Sequence, residues 1–120
     1  MNKQQELALS IRDTDFVGAI KRLCGNESLY ITCLKEFLND KTVEILNDAI
    51  NKKSWDDAYT AAHALKGLAG NMGFIPLMHA TGKLVILIRG GREHDLPDGV
   101  NSVNSCYRDI IDAITYNFII

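Results

Sequence analysis

The sequence predicts an all-α protein, an up-and-down antiparallel four-helix bundle with a short extra helix at its N-terminal end. Three observations carry this prediction. Apolar residues recur at intervals of three and four along most of the chain, which is the spacing of helices that bury one face. No stretch alternates polar and apolar residues over a useful length, as half-buried strands do. The segments between the predicted helices are short, which favours antiparallel neighbours.

The first predicted helix is short and covers residues 13–23. Asp13 is its expected N-cap, and Gly25 suits the position just past its end, where a left-handed backbone is common. The residues before it begin with a polar run, and residues 1–12 are therefore assigned to an N-terminal tail. The predicted helical domain then spans residues 13–120.

The second predicted helix starts at Asn26, a favourable N-cap, and continues to about Asn51. Its apolar residues follow helical spacing on both sides of a polar stretch at residues 39–42. We interpret that stretch as an exposed bend in one helix, and two separate helices are the alternative.

Three longer helices follow. The third covers residues 54–72, where Ser54 and Asp57 resemble a weak capping box and Gly73 ends the helix. The fourth begins near Pro76, a favoured first-turn residue, and ends at Gly90 and Gly91. The fifth begins around Leu96 and Pro97, and its apolar stripe has the spacing of a bundle seam: Val100, Val103, Tyr107, Ile110, Ile114 and Phe118.

Composition and charge exclude several classes of function. The 120 residues suit one domain, and 13 basic against 15 acidic residues leave a net charge of −2. A basic surface for nucleic acid is therefore not expected, and no apolar run approaches the roughly 18 to 20 residues of a membrane span. The N-terminus lacks the apolar core of a signal peptide, and three cysteines without CxxC spacing indicate reduced thiols. We expect a cytoplasmic monomer.

The third helix separates its residues into two faces. A helical projection places on the core face Trp55, Ala58, Ala62, Leu65, Ala69 and Met72. It places on the opposite face Asp56, Tyr59, His63, Lys66, Gly67 and Gly70. Glycine within a helix costs about 0.5 to 1 kcal/mol relative to alanine, so two glycines on one exposed face indicate that another group comes close there.

An exposed imidazole with open space and a cation beside it suits a phosphoryl acceptor. Neutral histidine is a nucleophile near pH 7, and Lys66 lies three residues after His63 on the same face, where its charge would offset that of an anionic group. A solvated surface residue is the alternative for any single exposed histidine. We interpret His79 and His94 as solvated surface residues. No pair of His or Cys residues has the helical spacing of a metal site.

The string from His63 to Phe74, HALKGLAGNMGF, resembles the signature of histidine-containing phosphotransfer (HPt) domains. The resemblance implies a four-helix bundle with a short extra helix, in which a histidine takes a phosphoryl group from a receiver-domain aspartate and passes it to another. By position it implies that His63 is the phosphoacceptor, that Lys66 helps hold the phosphoryl group and that Gly67 leaves space for it. Gly73 matches the glycine that closes the motif.

The same resemblance implies that receiver domains of hybrid sensor kinases or response regulators are the partners, with Mg²⁺ bound on the receiver and no cofactor on this chain. The candidate docking face comprises Asp56, Tyr59 and Thr60. No nucleotide-binding motif is present, so autonomous kinase activity is not expected.

Two alternatives compete with a phosphorelay intermediate. One is a non-catalytic adaptor that docks receiver domains through the same face. The other is the dimerisation domain of a histidine kinase, which Ala64 and Gly67 disfavour because those domains place an acidic residue and a proline in that stretch. A further open point is Ile86, which should face outward, either within a wide face buried by the last helix or on an extra contact surface.

Overall fold

The computed structural model describes residues 1–119, and its regular structure there is helical, without a strand. The α-helices in chain order are α1 Lys3–Ser10, α2 Phe16–Arg22, α3 Glu27–Phe37, α4 Thr42–Asn51, α5 Trp55–Met72, α6 Ile75–Arg89 and α7 Leu96–Ile114. A 3₁₀ turn at Glu93–Asp95 precedes α7, and a π-helical turn at Thr115–Ile119 follows it. The all-α prediction is confirmed for the described residues.

Residues 1–12, expected to form a tail, instead contain helix α1. Asn2 and Gln5 form a reciprocal capping box at its start, in which each side chain accepts a hydrogen bond from the other residue's backbone amide. Leu9 is fully buried. The Gln5 side-chain amide also donates to a backbone carbonyl of the C-terminal π-helical turn at 2.9 Å. These contacts fix α1 against the end of the chain.

The short helix α2 begins three residues later than expected. Its N-cap is Asp15, whose carboxylate accepts a hydrogen bond from the Gly18 amide at 2.9 Å. Asp13, the predicted cap, lies before the helix with a φ of 53°, in the left-handed region. The end of α2 agrees with the sequence, since Gly25 follows it with a φ of 79°.

The predicted second helix is two helices, α3 and α4, so the preferred interpretation of one bent helix is wrong. Asn26 caps α3 as predicted, accepting from the Leu29 amide at 3.0 Å. At the break, the Asp40 carboxylate accepts from the Thr42 amide at 2.9 Å. A side chain that bonds the backbone in this way offers an alternative to the helical ladder, and the helix therefore stops and restarts.

Helix α5 begins after Ser54 as predicted, but Ser54 and Asp57 do not form a capping box. The Ser54 hydroxyl donates to the Asp57 carboxylate at 2.8 Å, and Ser54 makes no side-chain bond to the backbone of the first turn. The end of the helix at Gly73 is as predicted, with a φ of 78°. Helix α6 likewise has Pro76 in its first turn and ends before Gly90.

Helix α5 packs against both α4 and α6, and α6 also packs against α7, which touches α3 and α4 as well. Contacts between α5 and α6 run in opposite directions along the chain: Gly70 lies near Met78, Lys66 near Gly82, and Tyr59 near Arg89. These two helices are therefore antiparallel. The complete up-and-down arrangement of four helices stays a prediction.

Side chains of α2 and α3 hold the C-terminal end of α5 through hydrogen bonds to its backbone carbonyls. The Tyr30 hydroxyl of α3 donates to the Met72 carbonyl at 2.8 Å in a fully buried position, and burial raises the pKa of Tyr30 well above its ordinary value. Arg22 of α2 donates to the carbonyls of Gly70 and Asn71 at 2.8 and 3.0 Å. Both residues satisfy carbonyls that a helix end otherwise leaves unpaired.

Replacing Gly73 with alanine should destabilise the protein by about 2 to 4 kcal/mol. The left-handed backbone is strained for any residue with a Cβ, and a Cβ at Gly73 would also meet the backbone carbonyl of Asp15. Gly91→Ala is the matched control, because Gly91 has a φ of 66° with nothing within 4 Å of its Cβ position. Chemical denaturation of both variants checks the prediction, and equal losses of unfolding free energy would contradict it.

Candidate functional site

Helix α5 presents His63 to solvent because its opposite face is in the core. Ala62, Leu65 and Ala69 are fully buried, whereas His63 is exposed. Both faces were expected from the spacing of small and apolar residues along the helix. The imidazole is therefore accessible to another molecule, while the backbone beneath it is held by packing on one side.

Exposure alone does not distinguish His63 from the other two histidines. His79 and His94 are also exposed, as expected for surface residues. His79 even has a lysine, Lys83, four residues later on α6, so a neighbouring cation does not distinguish His63 either. The difference lies one turn later on the helix, where His63 is followed by Gly67 and His79 by Lys83, so that only His63 has unoccupied space at that position.

Gly67 leaves that space open. A Cβ at Gly67 would have no neighbouring heavy atom within 4 Å. Side chains on a helix lean toward its N-terminus, so a side chain at position 67 would lie over His63, one turn earlier. Its absence uncovers the imidazole on the C-terminal side. By contrast, Gly82, three residues after His79, is covered by another side chain.

That side chain is Lys66, whose aliphatic stem crosses from α5 to α6. A Cβ at Gly82 would lie 3.6 Å from the Lys66 Cε and 3.9 Å from its Nζ. The ammonium group is exposed, and within residues 1–119 it makes no ion pair with a carboxylate. Its charge is therefore not neutralised by an acidic side chain of those residues.

The two remaining glycines of the motif serve packing. Gly70, expected on the exposed face, is half-buried, and a Cβ there would lie 3.2 Å from the sulfur of Met78 on α6. The expectation of open space is thus wrong for Gly70, which allows α5 and α6 to approach closely. Gly73 ends α5 and brings its backbone against Asp15, whose amide donates to the Gly73 carbonyl at 2.7 Å.

Of the three candidate docking residues, the structure brings Tyr59 to the histidine. The rings of Tyr59 and His63 stack with 6.0 Å between their centroids and 10° between their planes. Thr60 is exposed on another side of α5, where it lines a groove against α4 and donates to the Asp56 carbonyl at 3.0 Å. Asp56 is also exposed, one turn before Thr60.

Sequence reasoning missed the residues of α6 that complete this site. Gly82 accommodates the Lys66 stem, and Arg89 contacts Tyr59 through a 3.0 Å hydrogen bond to its hydroxyl. Ile86 lies between them on α6 and is 70% exposed, so its outward orientation is confirmed, and the interpretation that the last helix buries it is wrong; Ile88 is buried. The sequence signal that could have found them is the spacing of positions 82, 86 and 89, which places these residues on one face of a helix.

Two kinds of site are not found in the part of the chain that the structure describes. Residues 1–119 bring together no group of three or more histidine, cysteine, aspartate or glutamate side chains that could hold a metal ion. Within the same residues, every helix is too short or too polar to cross a bilayer.

The fold and the site together define an all-helical domain in which an exposed histidine is followed one turn later by a glycine, with a lysine on the same helix that makes no ion pair within residues 1–119. The family model named Hpt domain matches residues 34–115, from the end of α3 to the end of α7, and the chain therefore belongs to the Hpt domain family. Hpt domains act in phosphotransfer in two-component signalling and interact with receiver domains. No curated protein and no solved structure is significantly similar to the chain.

Proposed function

We propose that the protein is a phosphorelay intermediate in which His63 accepts a phosphoryl group from a receiver aspartate and passes it to an aspartate of another receiver. One observation carries the proposal: in an Hpt domain, the imidazole of His63 is exposed and uncovered at Gly67, with Lys66 three residues later on the same helix. That arrangement offers a phosphoryl group both a nucleophile and unoccupied space next to it.

The transfer step balances without a further reactant. A ring nitrogen of neutral His63 attacks the phosphorus of the aspartyl phosphate, and an N–P bond forms as the acyl O–P bond breaks. The aspartate leaves as a carboxylate, and the proton stays on the other ring nitrogen. The reverse step, with the carboxylate of a second receiver as nucleophile, releases the phosphoryl group and restores the neutral imidazole.

The partner supplies what this chain does not carry. The receiver brings the aspartate and, in this proposal, the Mg²⁺ that neutralises the phosphoryl oxygens on its side. Lys66 contributes the positive charge on the other side. The sequence contains no nucleotide-binding motif, and we propose no self-phosphorylation.

We also propose that the relay operates in the cytoplasm. The three cysteines, Cys24, Cys33 and Cys106, are free thiols, as expected in a reducing compartment. Burial raises the pKa of the Cys106 thiol, and the negative charge of Asp109 raises it as well. Cys106 is therefore less reactive than an ordinary exposed thiol.

Incubation with a phosphorylated receiver domain tests the proposed function. The protein should acquire phosphate that is labile in acid and stable in base, and should lose it when a second, unphosphorylated receiver is added. Binding of the receiver without any acquired phosphate would contradict the relay and support the adaptor function instead.

Replacing Lys66 with alanine should slow phosphoryl transfer by about tenfold or more, because the charge acts most strongly on the transition state. The same change should alter the free energy of unfolding by less than about 0.5 kcal/mol, since the ammonium is exposed. Rapid-quench transfer rates and thermal melts check both effects. Lys35→Ala, an exposed lysine on α3, is the control and should transfer normally; an unchanged rate for Lys66→Ala would refute its role.

A further inference from the structure

The imidazole of His63 has a different neighbour on each side along α5. One turn earlier, Tyr59 places its ring nearly parallel to the imidazole, at 10° and with 6.0 Å between centroids. One turn later, Gly67 leaves empty space. Because helical side chains lean toward the N-terminus, the imidazole leans toward the tyrosine and away from the gap. The imidazole thus faces the Tyr59 ring on its N-terminal side and unoccupied space on its C-terminal side.

Tyr59 is itself held by a residue of the neighbouring helix. The guanidinium carbon of Arg89, at the end of α6, lies 4.7 Å from the centre of the Tyr59 ring. An Arg89 nitrogen also donates to the Tyr59 hydroxyl at 3.0 Å. A cation near an aromatic ring and a hydrogen bond to its hydroxyl restrain the same side chain in two ways. Within residues 1–119 Arg89 makes no ion pair with a carboxylate that would draw it away.

We infer that Tyr59 and Arg89 are positioning residues for phosphoryl transfer, with Arg89 holding the Tyr59 ring and that ring holding the imidazole of His63 so that it meets the phosphoryl group through the opening at Gly67. The inference rests on the proposed function of His63. Stacking restricts rotation of the imidazole, and transfer depends on the alignment of the attacking nitrogen with phosphorus. Neither residue needs to touch the phosphoryl group.

The inference predicts a specific kinetic pattern. Tyr59→Ala should lower the maximal rate of transfer from a phosphorylated receiver by about tenfold, while the receiver concentration at half-maximal rate stays unchanged. Tyr59→Phe keeps the stacked ring and should retain most of the wild-type rate. Tyr116→Ala, which removes an exposed tyrosine from the C-terminal turn, is the control and should behave as wild type.

The alternative is that Tyr59 is only a docking contact for the receiver. In that case Tyr59→Ala would raise the half-saturating receiver concentration and leave the maximal rate unchanged, and the inference would be overturned. An unchanged rate and an unchanged half-saturating concentration would overturn it as well. The absence of phosphate uptake by the wild-type protein would contradict the proposed function, whereas the two outcomes above contradict only this inference, so the two failures are distinguishable.

A double-variant cycle tests whether Arg89 acts through Tyr59. Arg89→Met should lower the maximal rate in the same direction but by less than Tyr59→Ala, because the ring remains. Combining Arg89→Met with Tyr59→Ala should be no slower than Tyr59→Ala alone, since the arginine then has no ring to hold. Fully additive losses would mean that Arg89 acts directly on the partner or the phosphoryl group, and would overturn this part of the inference.

Nuclear magnetic resonance provides a readout that does not depend on activity. In the wild-type protein the imidazole ring protons of His63 should carry a ring-current shift from the stacked Tyr59 ring. Tyr59→Ala should remove that shift and Tyr59→Phe should keep it, with the backbone spectrum showing that both variants are folded. Identical His63 ring shifts in wild type and Tyr59→Ala would show that the rings do not stack, and would overturn the inference.

Discussion

His63→Gln should abolish phosphoryl uptake and leave the helical fold intact. Glutamine has similar reach, but its amide nitrogen is not a nucleophile, so no N–P bond can form. Because the side chain at this position is exposed, the free energy of unfolding should change by less than about 1 kcal/mol. Transfer from a phosphorylated receiver and circular-dichroism melts measure the two effects on the same preparation.

The other two histidines provide matched controls. His79→Gln and His94→Gln each remove an exposed imidazole and should be labelled to the wild-type level. His79 is the more stringent control, because it also has a lysine one helical turn away, and that lysine stands where Gly67 stands relative to His63. Full labelling of the His63→Gln protein would refute the assignment of the acceptor.

Gly67→Gln should have opposite effects on stability and on function. Transfer should fall by about a hundredfold or more, because the new side chain would lean over His63 and occupy the space of the phosphoryl group and the incoming aspartate. Stability should be equal or higher, since glutamine is a better helix former than glycine and nothing lies within 4 Å of the Cβ position.

Gly67→Ala is the graded control for this change. It should raise the free energy of unfolding by about 0.5 to 1 kcal/mol and reduce transfer less than glutamine does, because a methyl group covers less of the imidazole. Melting curves and transfer rates of both variants are compared with wild type. A wild-type transfer rate in the Gly67→Gln protein would show that the glycine does not provide access to the imidazole. Unfolding of the Gly67→Gln protein would show that position 67 is not open.

Much of the fold followed from local signals in the sequence. The ends of α5 and α6 were predicted because left-handed glycines and a first-turn proline act within one turn of the chain. Helix α1 was missed because its start is polar and only Ala8 and Leu9 are buried, which is too short a stripe to detect by periodicity. The break between α3 and α4 depends on a side-chain bond of Asp40 that competes with the helix.

The site divides in the same way. The α5 residues His63, Lys66 and Gly67 could be placed from the sequence, because helical geometry fixes which residues share a face. The α6 residues that complete it could not, since the contacts of Gly82 and Arg89 depend on how far one helix is shifted along the other. Periodicity within a single helix carries no information on that shift, which in the structure brings Met78 beside Gly70.

Localisation of the phosphate after transfer tests the central claim most directly. The wild-type protein would be incubated with a panel of phosphorylated receiver domains, digested at neutral to alkaline pH to preserve phosphohistidine, and mapped by mass spectrometry. We predict one phosphate per chain, carried by the peptide that contains His63 and assigned to that residue by fragmentation. Phosphate on His79 or His94, or no phosphate from any receiver of the panel, would contradict the account.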